Sequence, residues 1–111
     1  MQDDANLPSL LSAPHLGYLD ASNEVYQNTR KFALSKSNRY YAVGPVLTAP
    51  GGPHLGPGKG WPMGVIMQII TSTNDDEITH GLSQLVSSTS GLGLIHESVA
   101  AHDASTWSRP W

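Results

Sequence analysis

The residues best suited to chemistry are His96 and Glu97, an adjacent imidazole and carboxylate near the end of the 111-residue sequence. They follow residues 91–95, where two glycines allow the backbone to leave a helix and approach a ligand closely. Because Leu94 and Ile95 favour burial, His96 and Glu97 are expected where buried chain meets a cavity. A carboxylate in that position can transfer a proton. The structural alternative is that Glu97 opens another helical turn and His96 bonds a nearby carbonyl.

Three short polar side chains near the start, Asp3, Asp4 and Asn6, form a second candidate group. One interpretation makes the two aspartates helix-dipole and capping residues, with Asn6 as the N-cap of a short helix that Pro8 begins. The other interpretation makes them hydrogen-bond acceptors for hydroxyl groups in a sugar pocket. The local sequence leaves both interpretations open.

A third candidate pair, His54 and Trp61, lies in the Gly- and Pro-rich stretch 43–62, which is predicted to be irregular. Imidazole offers directional hydrogen bonds, and indole offers a flat face with one donor, which together suit a sugar ring. The alternative is a packed loop with a core tryptophan and a hydrogen-bonded histidine. The stretch lacks a GxxxxGK[ST] motif and a preceding strand, so the glycines do not indicate a nucleotide site.

Three segments have helical patterns that would position these groups. Ser22-Asn23-Glu24 opens the first, and Pro62 begins the second, which is apolar on nearly every side to Ile70 and must therefore be buried. Asn74 and Glu77 approximate a capping box for the third. Its apolar positions form an i, i+4, i+7, i+8 stripe, namely Ile78, Leu82, Leu85 and Val86. No segment alternates convincingly as a strand, so the sequence predicts an all-α fold of helix pairs joined by long Gly/Pro loops.

Composition narrows the function classes. The formal net charge is −3 with six Lys and Arg residues, so nucleic acid and anionic membranes are poor partners and a neutral polar ligand fits better. The most apolar run, 63–70, is shorter than the roughly 20 residues that cross a bilayer. The first residues do not resemble a signal peptide, although the compartment and oligomeric state stay open. The histidines at 15, 54, 80, 96 and 102 lack a metal-binding spacing, so no metal or cofactor is expected.

Several motifs, taken together, resemble one known family along essentially the whole chain. They are Asp3-Asp4-Ala5-Asn6-Leu7-Pro8-Ser9-Leu10-Leu11, Leu16-Gly17-Tyr18, Tyr26-Gln27-Asn28-Thr29-Arg30-Lys31, Gly52-Pro53-His54, Trp61-Pro62-Met63, Thr71-Ser72-Thr73-Asn74-Asp75-Asp76-Glu77-Ile78 and His96-Glu97-Ser98. The family is glycoside hydrolase family 125, the metal-independent exo-α-1,6-mannosidases, which include fungal meiotically up-regulated gene products. The resemblance implies an (α/α)6 barrel. Residues 1–111 would be a C-terminal part of one catalytic domain, truncated at both ends and, if fungal, from a secretory-pathway protein.

The resemblance also implies roles for the candidate residues. Glu97 would be the general base that activates water in an inverting mechanism, acting on an α-mannoside glycan. Inversion requires a second carboxyl group roughly 6.5–9.5 Å away as general acid. That acid is expected upstream of this chain, with Asp3 or Asp4 as the fallback. Substrate contacts are expected from Asp3, Asp4, Asn6, His54, Trp61 and His96.

Two rival functions remain at this stage. One is a non-catalytic carbohydrate-binding remnant, or a degraded fragment, that keeps the sugar-contacting loops. The other is a histidine-based metal site. It is disfavoured because His96 and Glu97 are neighbours in sequence, so their side chains should point apart. The chain alone is further expected to be inactive and poorly folded, since the apolar helix over 63–70 would lack partners.

Overall fold

A computed structural model describes residues 9–110 of the chain. The predictions for Asp3, Asp4 and Asn6 therefore fall outside the described residues. The elements, after a 3-10 turn at Leu10–Ser12, are α1 (Glu24–Ala33), β1 (Tyr41–Ala42), β2 (Ala49–Pro50), β3 (Lys59–Gly60), α2 (Pro62–Ile70), α3 (Asp75–Ser87), β4 (His96–Ala100) and β5 (Asp103–Pro110). No helix within residues 9–110 combines the length and hydrophobicity that a membrane crossing requires.

The prediction of an all-α fold is wrong, because the described chain is mixed α/β. Strands β1 and β2 form a two-stranded antiparallel sheet, and β3, β4 and β5 form a three-stranded antiparallel sheet in that order. The described part of the chain is thus not a full (α/α)6 barrel of helix pairs. The sheets also interrupt the stretch 43–62 that was predicted to be irregular, since β2 and β3 lie within it.

The sequence pattern did not predict the strands, and the reason is physical. Strands β1, β2 and β3 contain two residues each, too few to show a period of two. The eight residues of β5 are mostly small or polar, and most are exposed or half-buried. These residues form a strand because they pair with β4, where Ser98 lies opposite Ser108 and Val99 lies opposite Trp107. Strand propensity depends strongly on such partners, so the local sequence carried little signal.

The three predicted helices are present, and their starts are the predicted ones. The Asn23 side chain caps α1 by accepting from the backbone of Val25 and Tyr26. Proline stands in the first turn of α2. The Asn74 side chain caps α3 by accepting from the Glu77 backbone. Of the segment predicted to form a short helix near the start, Asn6 and Pro8 fall outside the described residues, and Leu10–Ser12 form a 3-10 turn that Ser9 caps.

The buried core explains how α2 is covered. One cluster contains Leu47, Ala49, Val65 and Val99, and a second contains Leu11, Ala33 and Met67. Helix α2 contributes Val65 and Met67 to these clusters, so the expectation that it would lack partners within the chain is wrong for this face, whereas Ile70 is 51% exposed. Its contact with α3 is close, because a β-carbon at Gly81 would lie 2.8 Å from the Ile69 side chain.

The apolar stripe of α3 is only partly buried. Leu85 packs against the first core cluster, whereas Leu82 and Val86 are exposed. Gly81 is the buried residue of this helix. The tight approach of α2 at Gly81 turns part of the predicted stripe away from the core, a rotation that apolar periodicity alone did not specify.

A partly buried ion pair joins α1 to α3. Arg30 donates two hydrogen bonds to the Glu77 carboxylate. Its Nη1 lies 3.1 Å from Oε1, and its Nη2 lies 3.0 Å from Oε2. Gln68 Nε2 donates to Glu77 Oε1 at 2.8 Å, and the Ser72 hydroxyl also donates to this carboxylate. Burial raises the pKa of Glu77, but the hydrogen bonds from Ser72, Gln68 and Arg30 outweigh it and lower the pKa below its ordinary value.

We expect Glu77→Gln to lower the free energy of unfolding by roughly 1–3 kcal/mol at neutral pH, because Arg30 would lose its charged partner. The folded-state pKa of Glu77 lies below 4.5, so its contribution is present above pH 4.5 and is lost as pH falls through that lower value. Denaturant unfolding across this range should show the wild type losing more stability than Glu77→Gln. The exposed Asp76→Asn serves as control, and equal acid sensitivity of wild type and Glu77→Gln would contradict the prediction.

Candidate active site

The segment between α3 and β4 places His96 and Glu97 at the start of a strand. Helix α3 ends at Ser87, and Ser90, Gly91 and Gly93 adopt positive φ angles that turn the chain. The predicted termination of the helix in this region is confirmed. The alternative that Glu97 opens another helical turn is wrong, because His96 is the first residue of β4.

Glu97 is held by an arginine of the neighbouring strand. Its side chain is 13% exposed, and Arg109 Nε donates to Oε2 at 2.8 Å, while Nη2 lies 3.4 Å from Oε1. On either side of this pair, His96 is registered with Pro110 and Ser98 with Ser108, whose hydroxyl oxygens are 2.7 Å apart. The hairpin therefore fixes the position of the carboxylate. Sequence reasoning missed Arg109, because only the pairing of β4 and β5 brings it to Glu97.

His96 is buried beside Glu97, with a residue exposure of 1%. Its ring stacks on Trp107, with centroids 4.0 Å apart and planes inclined by 5°. Both ring nitrogens are buried and have no hydrogen-bond partner among residues 9–110. Buried polar atoms are normally paired, so this imidazole is suited to bonding a group that lies outside the described residues.

Trp61 and His54 form a second part of the site. Trp61 is 7% exposed, and its Nε1 is buried without a hydrogen-bond partner in the described residues. The exposed His54 meets it edge-on, with centroids 5.6 Å apart and planes at 77°. Gly60 pairs with Val99, and this antiparallel register carries Trp61 to the level of Ser98.

The structure thus brings together His54 and Trp61 and places Trp61 beside the strand that carries His96 and Glu97. Trp61 is a buried residue at the start of α2 and not an exposed loop residue. The interpretation that the Trp61 ring belongs to a packed core is therefore correct. Its unpaired Nε1 still permits contact with a ligand.

A cavity of about 310 Å³ lies elsewhere, between α1, α2 and α3. Its lining residues are Gln27, Arg30, Lys31, Leu34, Tyr41, Gln68 and Glu77. Burial, followed by the charge of Glu77, raises the pKa of Tyr41. Among residues 9–110, none of the predicted site residues lines this cavity, and its central carboxylate already has three side-chain donors. We therefore assign these groups a structural role.

Three other described carboxylates have pKa values below their ordinary range. Hydrogen bonds from Ser22 lower the pKa of Asp20, and hydrogen bonds from Ser105 and Thr106 lower the pKa of Asp103. Glu77 is also shifted downward. A general acid must hold a proton at working pH, and these shifts favour the charged form. Across residues 9–110, no group of three or more His, Cys, Asp or Glu side chains is placed to hold a metal ion.

Comparisons with known proteins place this chain in a family of glycoside hydrolases. The sequence profile of the family "Metal-independent alpha-mannosidase (GH125)" matches residues 1–111. The chain therefore belongs to family GH125, as its motifs indicated.

Two relatives give the extent of the match. Meiotically up-regulated gene 157 protein of Schizosaccharomyces pombe is 51% identical over 110 residues, which cover 98% of this chain and 22% of that protein. A solved structure of a Streptococcus pneumoniae metal-independent α-mannosidase, in a non-productive complex with α-1,6-mannobiose, superposes with a TM-score of 0.92 at 39% identity. That match covers 97% of this chain and 25% of the bacterial chain. The chain thus spans about a quarter of the length of these relatives.

Proposed function

We propose that residues 1–111 form part of a larger catalytic domain that removes α-1,6-linked mannose from the end of a glycan with inversion. The observation that carries the proposal is the largely buried carboxylate of Glu97, which forms an ion pair with Arg109 on the β4–β5 hairpin beside the buried His96. Membership of the α-mannosidase family and the likeness to a protein bound to α-1,6-mannobiose support the choice of substrate.

In this mechanism Glu97 is the general base. It takes a proton from a water molecule, whose oxygen attacks the anomeric carbon from the face opposite the leaving group. The bond from that carbon to the glycosidic oxygen breaks, and a second carboxyl group protonates the departing oxygen. The product is mannose of inverted anomeric configuration. We place the second carboxyl group outside the described residues, with Asp3 or Asp4 as the candidates within the chain.

The unpaired polar atoms near β4 suit the binding of sugar hydroxyls. His96 offers two ring nitrogens, and Trp61 offers one N–H donor. Each is buried, so a hydroxyl that bonds it removes the cost of an unpaired polar atom. The exposed edge of His54 extends this group toward solvent. Pockets commonly combine such apolar rings with few polar atoms.

We call the full-length protein that carries this segment the intact enzyme. In it, we expect Trp61→Phe and His54→Ala each to weaken mannoside binding roughly 5- to 50-fold, because each variant removes one or two hydrogen bonds. Phenylalanine keeps most of the buried ring packing at 61, and His54 is exposed, so the melting temperature should change little. Calorimetric titration with α-1,6-mannobiose measures the affinity. The exposed His102→Ala, at the β4–β5 turn, is the matched control, and unchanged affinity in both test variants would exclude these contacts.

The alternative function is carbohydrate binding without catalysis. It is favoured by one observation, since the buried, unpaired nitrogens of His96 and Trp61 suit sugar hydroxyls whether or not a bond is cleaved. Titration of the intact enzyme with α-1,6-mannobiose, followed by analysis of the sugar, separates the two functions. Binding of intact disaccharide with no release of mannose would support the alternative, whereas release of mannose would support hydrolysis.

A further inference from the structure

We propose that Arg109 is a positioning residue for the general base, a role that rests on the proposed function of Glu97. The side chain of Arg109 lies on β5, directly across the hairpin from Glu97, and contacts both carboxylate oxygens. Glu97 is the buried member of the pair and Arg109 the exposed one, with side chains 13% and 78% exposed. The arginine therefore reaches inward to the carboxylate from the edge of the site.

The two contacts are unequal, and the difference assigns a role to each oxygen. Arg109 Nε lies 2.8 Å from Oε2, a full charge-assisted hydrogen bond, whereas Nη2 lies 3.4 Å from Oε1. Oε2 is thus the anchored oxygen. Oε1 keeps a free lone pair, and we assign to it the acceptance of the proton from water.

The hairpin holds Arg109 itself in place. The Ser98 and Ser108 hydroxyls are 2.7 Å apart beside the pair, and His96 is registered with Pro110 on the other side. Arg109 has a φ angle of 25°, in a region that residues other than glycine rarely adopt. Such outliers persist where the surrounding structure over-determines them, and they cluster at functional sites.

Other charged groups near β4 do not replace Arg109. On β3, Lys59 pairs with Ala100, three residues beyond Glu97. On β5, Asp103 stands at the opposite end from Arg109 and bonds Ser105 and Thr106. Helix α2, which also packs on β4, has no ionisable side chain. Arg109 is thus the cation that the described structure places on Glu97.

Because Arg109 is mostly exposed, its ion pair should contribute little to the stability of the fold. Its effect should instead fall on the orientation of the base. Misplacement of a reacting group by about 1 Å can reduce the rate roughly 100-fold. Loss of the anchor should therefore lower kcat and leave substrate binding nearly unchanged.

The test is a double-mutant cycle in the intact enzyme, with hydrolysis of an aryl α-mannoside as the readout. We expect Arg109→Gln to lower kcat roughly 10- to 100-fold with KM almost unchanged, and Arg109→Lys to recover part of the loss. In a Glu97→Gln background, Arg109→Gln should cost nothing further, because the arginine acts through the carboxylate.

Two controls separate positioning from general effects. Arg39→Gln removes another exposed arginine and should leave kcat unchanged. Ser108→Ala removes a hydrogen bond of the same hairpin without removing the arginine, so it should cost much less than Arg109→Gln. A normal kcat for Arg109→Gln, an equal loss in Ser108→Ala, or a full further loss in the Glu97→Gln background would overturn the positioning role. Full activity of Glu97→Gln alone would instead remove the proposed function on which it rests.

Discussion

Replacing Glu97 with glutamine in the intact enzyme is expected to lower mannoside hydrolysis roughly 10²- to 10⁴-fold, the usual contribution of a general base. Glutamine keeps the shape of the side chain and an oxygen that Arg109 can bond, but its amide does not take a proton from water at neutral pH. The variant loses its ion pair with Arg109, but the Arg109 side chain is mostly exposed, so this ion pair should contribute little to stability and the fold should be retained. Binding of α-1,6-mannobiose should also be retained.

The measurement combines initial rates, titration calorimetry and thermal melting for wild type and Glu97→Gln. The exposed Glu24→Gln, in the first turn of α1, is a matched control that should leave the rate unchanged. Azide gives a sharper check with Glu97→Ala, because this anion attacks the anomeric carbon without needing to lose a proton. Rescue by azide should yield a mannosyl azide of inverted configuration. Near-normal turnover of Glu97→Gln would exclude Glu97 as the base.

The sequence predicted the helix starts well because N-capping is a local interaction. Each helix start depends on a residue that acts on the backbone within a few positions, namely Asn23, Pro62 or Asn74. The local sequence is therefore enough to predict it. The strands depend on partners much further along the chain. For β3, the residues opposite Lys59 and Gly60 are Ala100 and Val99. Nothing in the two-residue segment itself reveals that pairing.

The candidate site shows the same division. The sequence singled out Glu97 and His96 by type and motif, but it did not show that they occupy a strand. Arg109 is twelve residues from Glu97 and meets it only through the hairpin. The two residues between Ala100 and Asp103 are Ala101 and His102, which are not a typical turn pair, so the sequence carried no strong signal for that hairpin. The polar composition of β5 obscured it, since apolar residues do not alternate along the strand.

The burial of Trp61 was hidden for a related reason. A tryptophan in a Gly- and Pro-rich stretch suggested an accessible platform, yet Trp61 begins α2 and is 7% exposed. The glycines on its N-terminal side allow close packing of backbone, because a β-carbon at Gly60 would lie 2.8 Å from the Ala49 side chain. Composition indicated an irregular stretch here, whereas the packing depends on the small size of glycine.

Expressed alone, the 111-residue chain is expected to release no mannose from α-1,6-mannobiose. Inverting hydrolysis needs an acid as well as a base, with the carboxyl groups roughly 6.5–9.5 Å apart. Asp20, Glu77 and Asp103 are unsuited because their hydrogen bonds lower their pKa values and favour the charged form. Glu24, Asp75 and Asp76 are exposed in the first turns of α1 and α3, outside the β4–β5 hairpin that carries Glu97.

The experiment compares this chain with the intact enzyme at equal concentration, using product analysis that resolves the two anomers of mannose. Circular dichroism of the short chain must first show helix and strand, so that inactivity is not an effect of unfolding. The Glu97→Gln variant of the intact enzyme provides the background rate, because it too lacks one of the two required carboxyl functions. Mannose of inverted configuration released by the short chain would contradict the prediction. It would place the general acid within these residues, and Asp3→Asn and Asp4→Asn variants would then identify which aspartate donates the proton.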